Sequence, residues 1–169
     1  MVPVLKPQRS IMPIIRPLSE VPTARETCIR WADAEWGAVA GFTIADWEEE
    51  YARIEAHPTD EVFVALEDGV PAGMVWLLEH EGIDTLQHLT PWLSSLVVDP
   101  AHRDRGIAGA LIRHIEAYAA SGGDQRIYLL TETPAVYFSH GWEVADTAPL
   151  GEKSVFVMQK NLTLAASVA

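Results

Sequence analysis

Val97-Val98-Asp99-Pro100-Ala101-His102-Arg103-Asp104-Arg105-Gly106-Ile107-Ala108-Gly109-Ala110-Leu111 is the stretch around which the rest of the chain arranges itself. An apolar run stops at Asp99-Pro100, a short basic turn follows, and a small-residue helix start leads into an apolar helical pattern. Strand, basic glycine-containing turn and helix together make an anion cradle. The N–H groups of a helix's first turn lack internal partners and carry partial positive charge, so a phosphate can sit on them. Gly106, Ala108 and Gly109 allow close backbone approach, and Arg103 and Arg105 add full charge and forked donors.

Working outward from this turn predicts a single mixed α/β domain over residues 12–162, with a loose leader at 1–11 and a frayed tail at 163–169. Met12 to Leu18, broken by proline, reads as an edge strand. Thr23 with Glu26 fits a capping box for a helix to about Glu35, which the Gly37–Gly41 segment breaks. Thr43 with Asp46 caps a second helix through Trp47, Tyr51 and Ile54 to about Ala56. Its outer acids Asp46, Glu48, Glu49, Glu50 and Glu55 are either a solvated face or a rim that draws an amine.

Glu61–Leu66 and Ala72–Leu78 are strands joined by a hairpin turn at Glu67-Asp68-Gly69-Val70-Pro71. Residues 79–90 are a polar loop, and Pro91–Val98 is the strand entering the basic turn. The helix from Gly106 to about Ala120 carries Ile107, Leu111, Ile115 and Tyr118 at helical spacing. Arg126–Thr131 follows as a strand one helix later, so these two strands should be parallel. A short helix at 133–140 and strands at 142–145 and 154–158 complete a β-α-α-β-β-β-α-β-α-β-β order, with helices on both faces of the sheet. Trp31, Trp47 and Trp76 are expected on core faces, whereas for Trp36 and Trp92 the sequence leaves open whether they border a substrate side.

Bulk properties exclude several classes. With 169 residues the chain can bury a real core. A net charge of -12, from 24 acids against 12 bases, argues against nucleic acid and suits either solubility or a cationic substrate. Cys28 is the sole cysteine, so no internal disulfide forms. No apolar run approaches a membrane span, and the proline-interrupted N-terminus is no signal peptide, so the expectation is a cytoplasmic protein. The histidines and acids lack metal-ligand spacing, so no metal is expected.

The cradle is neither a Walker loop, which needs Gly-x-x-x-x-Gly-Lys-Ser/Thr, nor a dinucleotide fingerprint, which belongs directly after a first strand. The segment Arg103-Asp104-Arg105-Gly106-Ile107-Ala108 instead resembles the Arg/Gln-x-x-Gly-x-Gly/Ala pyrophosphate loop of the Gcn5-related N-acetyltransferase (GNAT) superfamily, and the chain resembles a small, bacterial-type single-domain member. Pro134 to Trp142 resembles that family's Ala-x-x-Tyr-x-x-x-Gly-Phe/Trp segment, with Tyr137 four residues before Gly141.

The resemblance implies a mixed, mostly antiparallel sheet with a central parallel pair splayed at a bulge. It implies acetyl-CoA as co-substrate, with Leu96, Val97 and Val98 along the pantetheine and Arg103, Asp104, Arg105, Gly106, Ile107 and Ala108 around the pyrophosphate. It leaves a homodimer open. Asp104 departs from the usual basic or neutral residue, and is expected to point outward and interact with the helix N-terminus.

Acetyl transfer to a small-molecule or peptide amine needs a base for the amine, donors for the oxyanion near Val97 or Val98, and a proton for the leaving thiolate. Tyr137 is the expected general acid. Glu79 is the leading base, with His80, Asp84 and His88 as alternatives and Ser94 and Ser95 as holders of a water. His102 and His114 flank the cradle as surface or phosphate-side residues. The rival readings are a non-catalytic acyl-CoA-binding regulatory module on the same fold, and a transferase of a larger acyl group.

Overall fold

The computed structural model describes residues 12–163. The leader at 1–11 and the tail beyond Thr163 lie outside the described residues. Among the described residues, seven strands form one sheet in the order β1-β2-β3-β4-β5-β7-β6. They are β1 (Ile14–Pro17), β2 (Glu61–Glu67), β3 (Val70–Leu78), β4 (Trp92–Val98), β5 (Arg126–Thr131), β6 (Glu143–Leu150) and β7 (Lys153–Asn161). Every neighbouring pair is antiparallel except β4 with β5. The helices are α1 (Arg25–Ala32), α2 (Ala38–Ala40), α3 (Ile44–Ala56), α4 (Ile107–Ser121) and α5 (Ala135–Phe138).

The sheet's two faces follow from its alternation. Val62 and Val64 turn to one side of β2, Phe63 and Ala65 to the other, and all four are buried. Helices α1 and α3 cover the first face with Cys28, Ile29, Trp47, Tyr51 and Ile54 against Met74, Trp76 and Trp92. Helix α4 covers the second with Ile107, Leu111, Ile112 and Ile115 against Val75, Leu77, Leu93 and Ile127. Burial on both faces is why these strands read as nearly continuous apolar runs. The β2–β3 hairpin turns at Asp68 (φ 51°) and Gly69 (φ 77°). Two successive positive φ angles match the twist of the flanking strands.

Several local expectations are corrected. Thr23 caps nothing: Pro22–Ala24 is already a 3-10 turn, and Ala24 precedes α1 without a side-chain cap. Proline's fixed φ starts the coil one residue too early for the Thr23–Glu26 box. The first helix does not stop near Glu35 either. It passes through a π-turn at Asp33–Gly37 into α2, and ends only at Gly41, where φ is 68°. Trp92 lines no substrate side: it is 1% exposed, and its indole N–H donates to Leu89 O at 2.8 Å. By contrast, Thr43 and Asp46 form the full reciprocal capping box of α3.

Candidate active site

The single parallel contact defines the site. Only Trp92 and Tyr128 are in register between β4 and β5, with Tyr128 N–H bonded to Pro91 O at 3.1 Å. Beyond that pair the two strands separate. The cause lies in β4, where Val97 pairs with Met74 and Ser94 with Trp76, so two β4 residues stand against one of β3. This bulge holds Ser95 at φ 49° and bends the strand away from β5. Backbone groups of β4 on the β5 side are thereby left for a ligand. Leu96 and Val98 turn toward the α4 face and Val97 toward the α1–α3 face.

The basic turn sits at the same end. Pro100–His102 makes a short turn, fastened by His102 N–H to Asp99 O at 2.8 Å and by the His102 ring to the Asp99 carboxylate at 2.9 Å. His102 is therefore a brace. Asp104 (φ 62°) and Gly106 (φ 79°) bring the chain round to α4. The N-terminus of α4 has no side-chain cap and no acid in its first turn, which leaves its N–H groups directed at solvent. Asp104 is exposed, as expected, but makes no capping bond.

Arg105 reaches Glu67 at 2.7 Å, and Arg103 lies 3.9 Å from Glu35 while its Nε donates to Val98 O at 3.4 Å. Close packing holds the turn against the sheet at Gly73. A Cβ there would stand 2.8 Å from Val97 O and 3.2 Å from both Ile107 and Leu111. The residues expected around an acetyl-CoA pantetheine and pyrophosphate are thus gathered at the open end of the β4–β5 gap.

Tyr137 lies on the α4 face. Its ring packs on Trp142 at 6.1 Å, and burial raises its phenol above the usual value, so it holds its proton at neutral pH. The turn after α5 rests on α4, where a Cβ on Gly109 would meet His140 at 3.3 Å. His114 packs edge-on against Phe63 at 4.8 Å, where burial lowers its pKa.

Glu79 is elsewhere. It follows Leu78, which pairs with Trp92 at the start of β4, so it stands a strand length, about 20 Å, from the basic turn. Its carboxylate is 3.2 Å from His57 Nε2, and its N–H donates to the buried Asp60 at 2.8 Å. Two concavities of about 610 and 510 Å³ open at that same far end, one lined by Asp124, Tyr128 and Asn161, the other by Glu79, Tyr118 and Gly122.

The carboxyl that the structure brings to the bulge is Glu81. The loop after β3 folds back over the α1–α3 face, and Ser94 Oγ donates to Glu81 Oε1 at 2.9 Å, with Ser95 Oγ 3.4 Å further along. The other oxygen, Oε2, is shut from solvent and has no partner among the described residues. Desolvation pushes the acid up to about 7, against the lowering effect of the Ser94 bond, and nearby Glu50 adds to the rise. Sequence reading passed over Glu81 as one of several polar loop residues. Its signal lay in the β4 pair Ser94-Ser95, two hydroxyls in an otherwise apolar strand.

The acid rim of α3 proves to be largely compensated. Arg25 pairs with Glu48 and, at 2.8 Å, with Glu55, while Arg53 bridges Glu50 at 2.7 Å and Asp60 at 3.2 Å.

The profile of the acetyltransferase (GNAT) family matches residues 25–141. The chain belongs to the GNAT family. Among curated proteins no sequence matches it. Its fold is that of an aminoglycoside 6'-N-acetyltransferase solved with coenzyme A (18% identity, 89% of this chain and 97% of that one, TM-score 0.71). It is also similar in fold to the aminoglycoside 6'-N-acetyltransferase from Enterococcus faecium (19%, 89% and 97%, TM-score 0.69). The ribosomal-protein-alanine N-acetyltransferase from Brucella melitensis shares the fold too (19%, 88% and 99%, TM-score 0.70). Among the described residues no group of three or more His, Cys, Asp or Glu is placed to hold a metal, and no helix is long and apolar enough to cross a membrane.

Proposed function

We propose that this GNAT member is an N-acetyltransferase that moves an acetyl group from acetyl-CoA to a primary amine of a small molecule. The observation that carries the reading is the splayed β4–β5 gap, with an uncapped, basic helix start at its mouth and a buried carboxyl beside the bulge. Acetyl-CoA supplies the acetyl thioester.

Arg103, Arg105 and the free N–H groups of the 103–108 turn and α4 hold the pyrophosphate, and Leu96, Val97 and Val98 lie along the pantetheine. A backbone N–H of the bulged strand near Val97 stabilises the charge that develops on the carbonyl oxygen. Glu81, not Glu79, takes the amine's proton, because Glu81 stands at the bulge on the face opposite Tyr137 and titrates near neutrality. The amine nitrogen bonds to the acetyl carbon as the carbon–sulfur bond breaks. Tyr137 gives its proton to the departing sulfur. The products are the acetamide and CoA thiol, and Glu81 and Tyr137 exchange their protons with solvent.

Thiol release from acetyl-CoA, followed against a panel of primary amines, tests the reading. Amine-dependent release with acetamide formation is expected. Tight acetyl-CoA binding with no release for any amine would instead favour the regulatory module. Faster turnover with longer acyl chains would favour a different acyl donor.

A further inference from the structure

Glu81 is placed to titrate but not to touch an amine. Its Oε2 is shut from solvent without a partner among the described residues, and its Oε1 is taken by the Ser94 hydroxyl at 2.9 Å. A proton that reaches this carboxyl comes through Ser94. The Ser95 hydroxyl lies 3.4 Å beyond it.

That second contact is unusual for a strand. Successive side chains of a strand point to opposite faces, so neighbouring hydroxyls do not meet. Here the bulge turns Ser95 to φ 49°, and its hydroxyl comes round to that of Ser94. A non-glycine residue in the left-handed region is held there by its surroundings, and such residues gather at functional sites. Both serines are half-buried, and Ser95 stands where β4 parts from β5, two residues before Val97.

The chain of hydroxyls has one direction. Ser94 has a single hydroxyl proton, and it goes to Glu81. The lone pairs of Ser94 then accept from Ser95, and those of Ser95 are left for a donor at the bulge. Strands β3 and β4 carry no charged side chain to compete. The charge acting on Glu81 is that of Glu50 on α3, which Arg53 bridges at 2.7 Å.

We propose that Ser95 and Ser94 form a relay that carries the proton of the attacking amine to Glu81. This rests on the acetyl-transfer reading. As the nitrogen bonds to the acetyl carbon, its proton passes to Ser95 Oγ, the Ser95 proton to Ser94 Oγ, and the Ser94 proton to Glu81 Oε1. Both hydroxyls are restored, and the carboxylate becomes the acid. Once the acetamide has left, the same chain runs backward and returns the proton to solvent. The 3.4 Å link is of the long kind that tightens when substrate is bound.

Three variants test the relay. Ser94→Thr and Ser94→Val match in shape and differ in the hydroxyl, and Ser95→Gly suits φ 49° without one. Each is assayed for amine-dependent thiol release from acetyl-CoA across the neutral pH range, and for acetyl-CoA affinity by calorimetry. Infrared spectra follow the protonated Glu81 carbonyl, the band that Glu81→Gln lacks.

Ser94→Thr should keep the wild-type rate and its rising limb near pH 7. Ser94→Val lowers kcat/KM about 100-fold and loses the limb, the scale of cutting off a general base. Ser95→Gly lowers it about tenfold, because water replaces part of the hydroxyl's function, and flattens the limb although the infrared band still titrates. Acetyl-CoA binds all three alike.

A wild-type rate and limb in Ser95→Gly or in Ser94→Val would overturn the relay, as would a fall in Ser94→Thr as deep as in Ser94→Val. Release with no amine defeats the acetyl-transfer reading instead, and the infrared band then judges the chain alone. An upward shift of the Glu81 titration in Ser94→Val, from the lost donor, upholds the Ser94 link, and an unmoved titration sinks it.

Discussion

The two sides of the β4–β5 gap are built in different ways. The side proposed to hold the acyl donor is made of consecutive residues. Strand end, turn and helix start all lie within 97–111, and what they offer a ligand is mainly backbone N–H groups and two arginines. The side proposed to receive the amine, where Glu81 meets Ser94, is assembled from side chains of the π-turn, α3, β3, β4 and the loop after β3. A site written in consecutive backbone keeps its signature in the sequence. A site written in side chains from five segments has no spacing to read, because its geometry exists only once α1 and α3 lie on the sheet.

That contrast explains what sequence reading reached. The succession of elements and the helices on both faces followed from apolar periodicity, because each face is buried by one helical layer, and the parallel β4–β5 pair followed from the one helix between those strands, whereas the neighbour order of the strands in the sheet was not read. The Thr43 box was legible because nothing precedes it that competes, whereas Thr23 was misread because Pro22 had already started a turn. The π-turn was illegible, since Gly37 looks like a break in any one-dimensional pattern. In the fold it is the position where a Cβ would strike the Asp33 carboxylate. Glu79 and Glu81 differ by two residues in the sequence, yet one binds His57 at the far end and the other lies folded under the bulge. Only the path of the loop separates them.

The largest expected effect is on the acceptor side. Glu81→Gln lowers kcat about 100-fold, the scale of losing a general base, and leaves the acetyl-CoA Kd unchanged in calorimetry. Because Glu81 is raised in the folded state, wild-type stability is full in acid and falls as pH climbs from the usual carboxylate range through about 7. The Gln variant lacks that fall, which denaturant melts at pH 5 and pH 8 will register.

Tyr137→Phe comes next and crosses to the donor side. Steady-state kinetics should give a drop of about 30-fold in kcat with unchanged acetyl-CoA affinity. A drop confined to KM would remove the phenol from proton transfer.

Gly73→Ala tests the packing that joins the two sides. The new methyl pushes on Val97 O, Ile107 and Leu111, so denaturant unfolding should show a loss of about 1–2 kcal/mol, with weaker acetyl-CoA binding as the turn shifts.

Smallest is Arg103→Ala. The side chain is exposed and its partner Glu35 is distant, so acetyl-CoA binding weakens only about fivefold, with a shallower salt dependence and an unaltered kcat at saturation. Equal affinity in the variant would detach Arg103 from the pyrophosphate.

The pH profile of kcat/KM for amine acetylation, taken on wild type and Glu81→Gln together, tests most directly the claim that the two sides meet at the bulge. A rising limb near pH 7 in the wild type, absent from the variant while both bind acetyl-CoA equally, is the predicted result. A limb that persists unchanged in Glu81→Gln would contradict it.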